Sequence, residues 1–122
     1  MPKRPLPAEI AIQSGFISAL RYIAPQVHFF AVPNGIRTTE WGARRARQEG
    51  MKAGAPDLYI YWPGGDCWLE FKSAKGRIDE NQREMHERLS RCGKAVAVVR
   101  SIDEAVDFVR QCGAPVTGRL PA

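Results

Sequence analysis

Asp57, Glu70 and Lys72 are the residues of this chain whose types and spacing could do chemistry. They lie in the stretch Gly54 to Lys72, G-A-P-D-L-Y-I-Y-W-P-G-G-D-C-W-L-E-F-K. Two short apolar runs, Leu58 to Trp62 and Cys67 to Phe71, flank Pro63-Gly64-Gly65-Asp66. Gly-Gly takes the positive φ angles of a tight turn, so the pattern predicts an antiparallel hairpin. A turn centred on Gly64 and Gly65 sets Asp57 opposite Lys72, Tyr59 opposite Glu70 and Tyr61 opposite Trp68. Alternation then places Asp57, Glu70 and Lys72 on one face, with the two carboxylates as diagonal neighbours roughly 7 Å apart at Cβ. Cys67, Leu69 and Phe71 point the other way and read as core. Charged groups seldom sit on a strand with a buried face unless they are paired or bind something. Two carboxylates this close repel, and a hard divalent cation such as Mg²⁺, which takes one or two carboxylates plus waters and phosphate oxygens, relieves the repulsion. The same residues also fit an edge hairpin with a cross-strand Asp57–Lys72 ion pair, which is widespread and worth little. Spacing alone leaves both readings open.

The elements that must position these residues follow from periodicity. Ala8 to Ala24 carries Ile10, Ile12, Phe16, Ile17, Leu20 and Ile23 at helical spacing between Pro7 and Pro25. Glu9 and Gln13 fall on the stripe of Phe16 and Leu20, so the inward face turns polar at its N-terminal end. Glu9 is either a favourable charge at the helix dipole or a third site carboxylate. Val27 to Val32 reads as a strand stopped by Pro33-Asn34-Gly35, with His28 in a structural role. Thr38 or Thr39 to Gln48 is a weak helix, dense in cations with Arg44, Arg45 and Arg47 between Arg37 and Lys52. That run is either a solvated face or a set of phosphate contacts. After Lys72, a loop containing Lys75 and Arg77 leads to a helix from Asp79 to Cys92. Asp79 with Gln82 three residues on matches a capping box. Gln82, Met85, Leu89 and Cys92 form the stripe expected to face the sheet. Gln82 either caps or touches the site, and His86, one turn on, has the same ambiguity, with packing the favoured role. The run Ala95-Val96-Ala97-Val98-Val99 predicts a central strand buried on both faces, and Ile102 to Gln111 a last helix. The order of helix, strand, helical insert, hairpin, helix, strand, helix gives an α/β fold with a mixed sheet flanked by helices.

At 122 residues the chain is expected to form one domain over 8–112, between a flexible N-terminus at 1–7 and a flexible tail at 113–122. A net charge of +5 favours an acidic partner such as nucleic acid. No apolar run approaches a membrane span and no signal-peptide core follows Met1, so a cytoplasmic location is expected. Cys67, Cys92 and Cys112 are odd in number and widely spaced, which predicts reduced, mostly buried thiols rather than a disulfide framework or zinc site.

Together, G-A-P-D at Gly54 to Asp57, E-x-K at Glu70 to Lys72, Asn81-Gln82 and Val98 to Ser101 resemble the PD-(D/E)XK nuclease superfamily. More narrowly, they resemble its small stand-alone virus-type replication-repair nucleases, the VRR-Nuc domain of phages and bacteria. Pro33-Asn34-Gly35 followed by Arg37, and Glu9 with Gln13, are similar to that family's pattern as well. The resemblance covers Ala8 to Val109 and implies a restriction-endonuclease-like fold of order αβ(α)ββαβα. It implies metal-dependent hydrolysis of DNA phosphodiesters, with Asp57, Glu70 and Lys72 as the catalytic core, Glu9 as a further acidic residue and Gln82 as a supporting polar one. Mg²⁺ or Mn²⁺ would be held by Asp57, Glu70 and Glu9. Stand-alone members resemble enzymes that act on four-way junctions as homodimers. Two other functions stay open on sequence: a non-catalytic nucleic-acid module using Arg37 to Lys52, and an RNA-directed nuclease of the same fold, although no RNP-like or KH-type motif is visible.

Overall fold

A computed structural model describes residues 8–33 and 39–120. Residues 1–7, 34–38 and 121–122 lie outside the described residues, and with them the turn expected after Pro33 and the expected phosphate contact Arg37. Helix α1 (Ala8–Ile23) is followed by β1 (His28–Ala31), α2 (Glu40–Gln48), β2 (Leu58–Trp62), β3 (Gly65–Phe71), α3 (Glu80–Arg91), β4 (Val96–Val99) and α4 (Ile102–Gln111). The strands form one sheet of order β1-β2-β3-β4, antiparallel except for the parallel pair β3 and β4. A parallel pair needs a crossover, and α3 supplies it.

One face of the sheet carries Leu58, Ile60, Trp62, Cys67, Leu69, Phe71 and Val99, all buried. Against it lie Phe16, Leu20 and Ile23 of α1 and Ala105, Val106 and Val109 of α4. The Phe16 and Phe71 rings meet at 5.8 Å between centroids. Each side chain of this size contributes about 1.5–3 kcal/mol on burial, so this layer anchors the hairpin. The other face carries Asp57, Glu70 and Lys72.

The hairpin register differs from expectation. Trp62 pairs with Gly65 and Leu58 with Leu69, so the turn is Pro63-Gly64 rather than Gly64-Gly65. Proline fixes φ for the first turn position and Gly64, at φ 95°, takes the second, the Pro-Gly signature of a type II turn. The slip is two residues, so every side chain keeps its face. Carried one step past the ladder, the register sets Asp57 opposite Glu70 instead of Lys72.

Three further expectations change. β4 is an edge strand that pairs only with β3 among the described residues, not a central one. Its apolar run reflects α3 and α4 packing on it rather than a place inside the sheet. Cys92 is exposed at the end of α3 while Cys67 is buried, because α3 lies shallowly on the sheet and buries none of its residues fully. The expected flexible tail is packed as far as it is described. The backbone N–H groups of Thr117 and Gly118 donate to the Ile23 carbonyl at 2.9 and 3.1 Å. They thereby satisfy an acceptor that the end of α1 leaves open. Ala114 is buried, and Val116 and Leu120 pack on the core.

Candidate active site

Asp57 is held from two sides. Its backbone carbonyl accepts from the Val32 N–H at 2.8 Å, tying it to the end of β1. Its carboxylate accepts from the Phe71 N–H at 2.8 Å, standing in for the next rung of the β2–β3 ladder. The approach to Asp57 depends on Gly54, at φ 86°. A Cβ there would lie 2.3 Å from the Asn81 backbone, so only glycine lets this loop touch the start of α3.

Glu70 is 1% exposed, the one buried charged side chain among the described residues. A buried carboxylate must have its oxygens met, and α3 meets both. Gln82 Nε2 donates to Glu70 Oε2 at 3.2 Å, and His86 Nε2 lies 3.4 Å from Glu70 Oε1. Gln82 also completes the capping box: its Oε1 accepts from the Asp79 N–H and its own N–H donates to the Asp79 side chain, both at 2.8 Å. The two sequence alternatives for Gln82 are therefore both realised, because one amide offers an acceptor to the cap and a donor to the site. For His86 the site contact, not the favoured packing role, is the one realised. The signal for it was its i+4 spacing from Gln82, which puts both side chains on one helix face.

Burial first, then the hydrogen bond and charge of Glu70, push the Asp57 carboxyl up from an ordinary 3.8 to about 7; the Phe71 N–H and the Lys72 ammonium act against the rise. The neighbouring Glu70 carboxylate is thus part of what keeps the proton on Asp57. Lys72 extends β3 with its N–H donating to the Val99 carbonyl at 3.0 Å. The loop beyond it is pinned by Arg100, whose guanidinium donates to the Ser73 and Gly76 carbonyls at 2.6 Å each. Lys75 rides on this loop, exposed. Arg100 went unnoticed in sequence as a site organiser, since nothing local marks a contact 24 to 27 residues away.

The structure thus brings together Asp57, Glu70, Lys72, Gln82 and His86. Glu9 is half-buried at the start of α1, and no hydrogen bond or ion pair among the described residues joins it to the pair. Likewise, no group of three His, Cys, Asp or Glu side chains among the described residues is placed to hold a metal ion. The donor set present is two carboxyls, which fits a hard cation that keeps most of its waters. On α2, Arg44, Arg45 and Arg47 are all exposed and no α2 residue is buried. Arg45 pairs with Glu49 at 3.0 Å and lies over the Trp41 ring, while Lys52 is exposed beyond the helix. No helix among the described residues is long and apolar enough to cross a membrane.

Comparison with known proteins bears on the family and the fold. The VRR-NUC domain profile matches residues 26–103, more than half of the chain and a span that includes every residue of the cluster. A solved VRR_NUC domain protein is 22% identical, with a TM-score of 0.66 and 90% of each chain covered. A second solved VRR_NUC domain is also 22% identical, with a TM-score of 0.63 over 85% of this chain and 96% of the other. No curated protein matches the sequence.

Proposed function

Because the chain belongs to the VRR-NUC domain family, whose fold is of the nuclease type, we propose that it is a metal-dependent endonuclease that hydrolyses DNA phosphodiester bonds. The observation that carries this reading is the Asp57–Glu70 pair. Two carboxyls are forced together on one sheet face, and a proton suppresses their repulsion when no cation does. Asp57 and Glu70 would hold Mg²⁺ or Mn²⁺, with Glu9 as a third acidic group. Such an ion lowers the pKa of a bound water and polarises the phosphoryl oxygen. Gln82 and His86 orient Glu70, as outer hydrogen bonds commonly do for ligating carboxylates. Lys72, two residues along the strand, orients the attacking water or meets the charge that develops on the phosphoryl group. The net charge of +5 suits a polyanionic substrate, and Arg37, Arg44, Arg45, Arg47, Lys52 and Lys75 are the proposed phosphate contacts. Following the resemblance, the substrate is branched or four-way DNA and the working form a homodimer.

The test is cleavage of labelled duplex, flap, single-stranded and four-way DNA with Mg²⁺, with Mn²⁺ and with EDTA. Cleavage should need a cation, and Asp57→Ala and Glu70→Gln should abolish it while circular dichroism shows the fold intact. Full activity in EDTA, or undiminished cleavage by both variants, sinks the mechanism.

A further inference from the structure

The sheet face that carries the carboxyl pair is covered by α3 only at the β3–β4 end. Over β1 and β2, among the described residues, it is left exposed at Phe30 and Tyr61, and what it presents is a field of rings. His28 pairs with Tyr61 and Phe30 with Tyr59 across β1 and β2, and Tyr59 with Trp68 across β2 and β3. Directly paired residues share a face, so all five rings lie on the side of Asp57 and Glu70. They touch in a continuous chain: His28 to Tyr61 at 5.4 Å, Tyr61 to Tyr59 at 5.7 Å, Tyr59 to Phe30 at 5.2 Å and Tyr59 to Trp68 at 4.6 Å between centroids. Phe30 is 53% exposed and Tyr61 40%.

Three features say what covers this face. Its part on β1, β2 and the paired end of β3 is dominated by rings, with the Asp66 carboxylate beside them and Val32, opposite Asp57, as the aliphatic side chain at the site end. The rings lead away from the site: Tyr59 and Tyr61 of β2 follow Asp57, which directly precedes the strand, on one face at steps of roughly 7 Å. The β1 edge of the face is bounded by a cavity of about 440 Å³ lined by Arg21, His28 and Tyr61 among others, with the Arg21 guanidinium lying over the Phe29 ring of the opposite face. Asp66, which alone would repel a polyanion, accepts from the Tyr59 hydroxyl at 2.5 Å and so fixes that ring's orientation.

We propose that the aromatic face formed by His28, Phe30, Tyr59, Tyr61 and Trp68 stacks unpaired bases of the nucleic-acid strand that leads into the Asp57–Glu70 site. The inference rests on the nuclease reading and narrows its substrate to DNA with a single-stranded segment beside the cut. Every base has a π face, so stacking of this kind holds single strands with little sequence preference. A paired duplex hides those faces inside its stack.

Binding in EDTA separates this inference from the proposed activity, because a protein without nuclease action can still pass and an active nuclease can still fail. Fluorescence anisotropy would follow a labelled oligothymidylate and a blunt duplex of equal length. The variants are Phe30→Leu with Tyr61→Leu, which keeps apolar area but removes two π faces, and Tyr61→Phe, which keeps the ring. The double variant should lose at least about fivefold in single-strand affinity per lost stack, with duplex affinity unchanged and Tyr61→Phe close to the parent. Unchanged single-strand binding by the double variant overturns the proposal. So does an equal loss for both ligands. If single-strand binding stays unchanged while sedimentation shows the parent dimeric and the double variant monomeric, the face belongs to a second copy of the chain.

Discussion

Replacing Asp57 by Asn should make the metal-free protein more stable at neutral pH, and the gain should vanish in acid. A rise from an ordinary 3.8 to about 7 means that the folded state holds a proton that the unfolded chain has already released between those values. Stability therefore falls as pH rises through that window: the proton-linked contribution is complete below about pH 4 and lost above about pH 7. At about 1.4 kcal/mol per pH unit the rise corresponds to at most about 4 kcal/mol. Asp57 is only partly buried, and solvent screening reduces this to about 2 kcal/mol. In a chain of this size that is roughly 8 °C in Tm. In the Asp57→Asn variant the amide carbonyl still accepts from the Phe71 N–H and the amide nitrogen can donate to Glu70, while the repulsion is gone. Lys72 and His86, the other ionisable groups at the pair, are common to both proteins, so the difference between them isolates the Asp57–Glu70 pair. Thermal unfolding in EDTA at pH 4, 6 and 8 should show the Tm difference widening with pH. Mg²⁺ at pH 8 should raise the parent's Tm by mass action and leave the variant's unmoved. A difference that stays flat from pH 4 to 8 would refute the reasoning that the folded state keeps a proton on Asp57.

Three other perturbations test separate parts of the site. Lys72→Ala should lose most turnover yet retain Mn²⁺ affinity by calorimetry, because an ammonium repels the cation beside it; weakened metal binding with normal turnover at saturating Mn²⁺ reverses its role. Arg44→Ala with Arg47→Ala, in a Glu70→Gln background, should weaken duplex binding and flatten the slope of log affinity against log salt by up to about two units; an unchanged slope makes α2 a solvated face. Gly54→Ala should destabilise by more than about 1–2 kcal/mol in urea unfolding, since φ 86° already disfavours a side chain and its Cβ would meet the Asn81 backbone; near-parent stability would mean that the loop does not depend on touching α3.

The order and type of the elements were legible in the chain because apolar periodicity and punctuation are local. Pro25, Gly93 and the capping residues Thr39, Asp79 and Ser101 mark element ends that the structure keeps. The shared face of Asp57, Glu70 and Lys72 was legible too, since a strand alternates with a period of two and a two-residue slip preserves it. What the sequence could not decide is anything set by which surfaces meet. The turn at Pro63-Gly64 was chosen by the pairing of Leu58 with Leu69 over the core, not by the Gly-Gly dipeptide. An apolar run such as Val96 to Val99 reports cover on its faces and is silent about its neighbours, so the edge position of β4 came only with the sheet. The clasp of Gln82 and His86 on Glu70 needs α3 laid against β3, and the seat of the C-terminal segment on Ile23 joins residues 94 apart. The open field of rings is the clearest case. Each aromatic residue read as an ordinary strand former, and only the tertiary structure put them on a common face that no described helix covers as α3 covers β4.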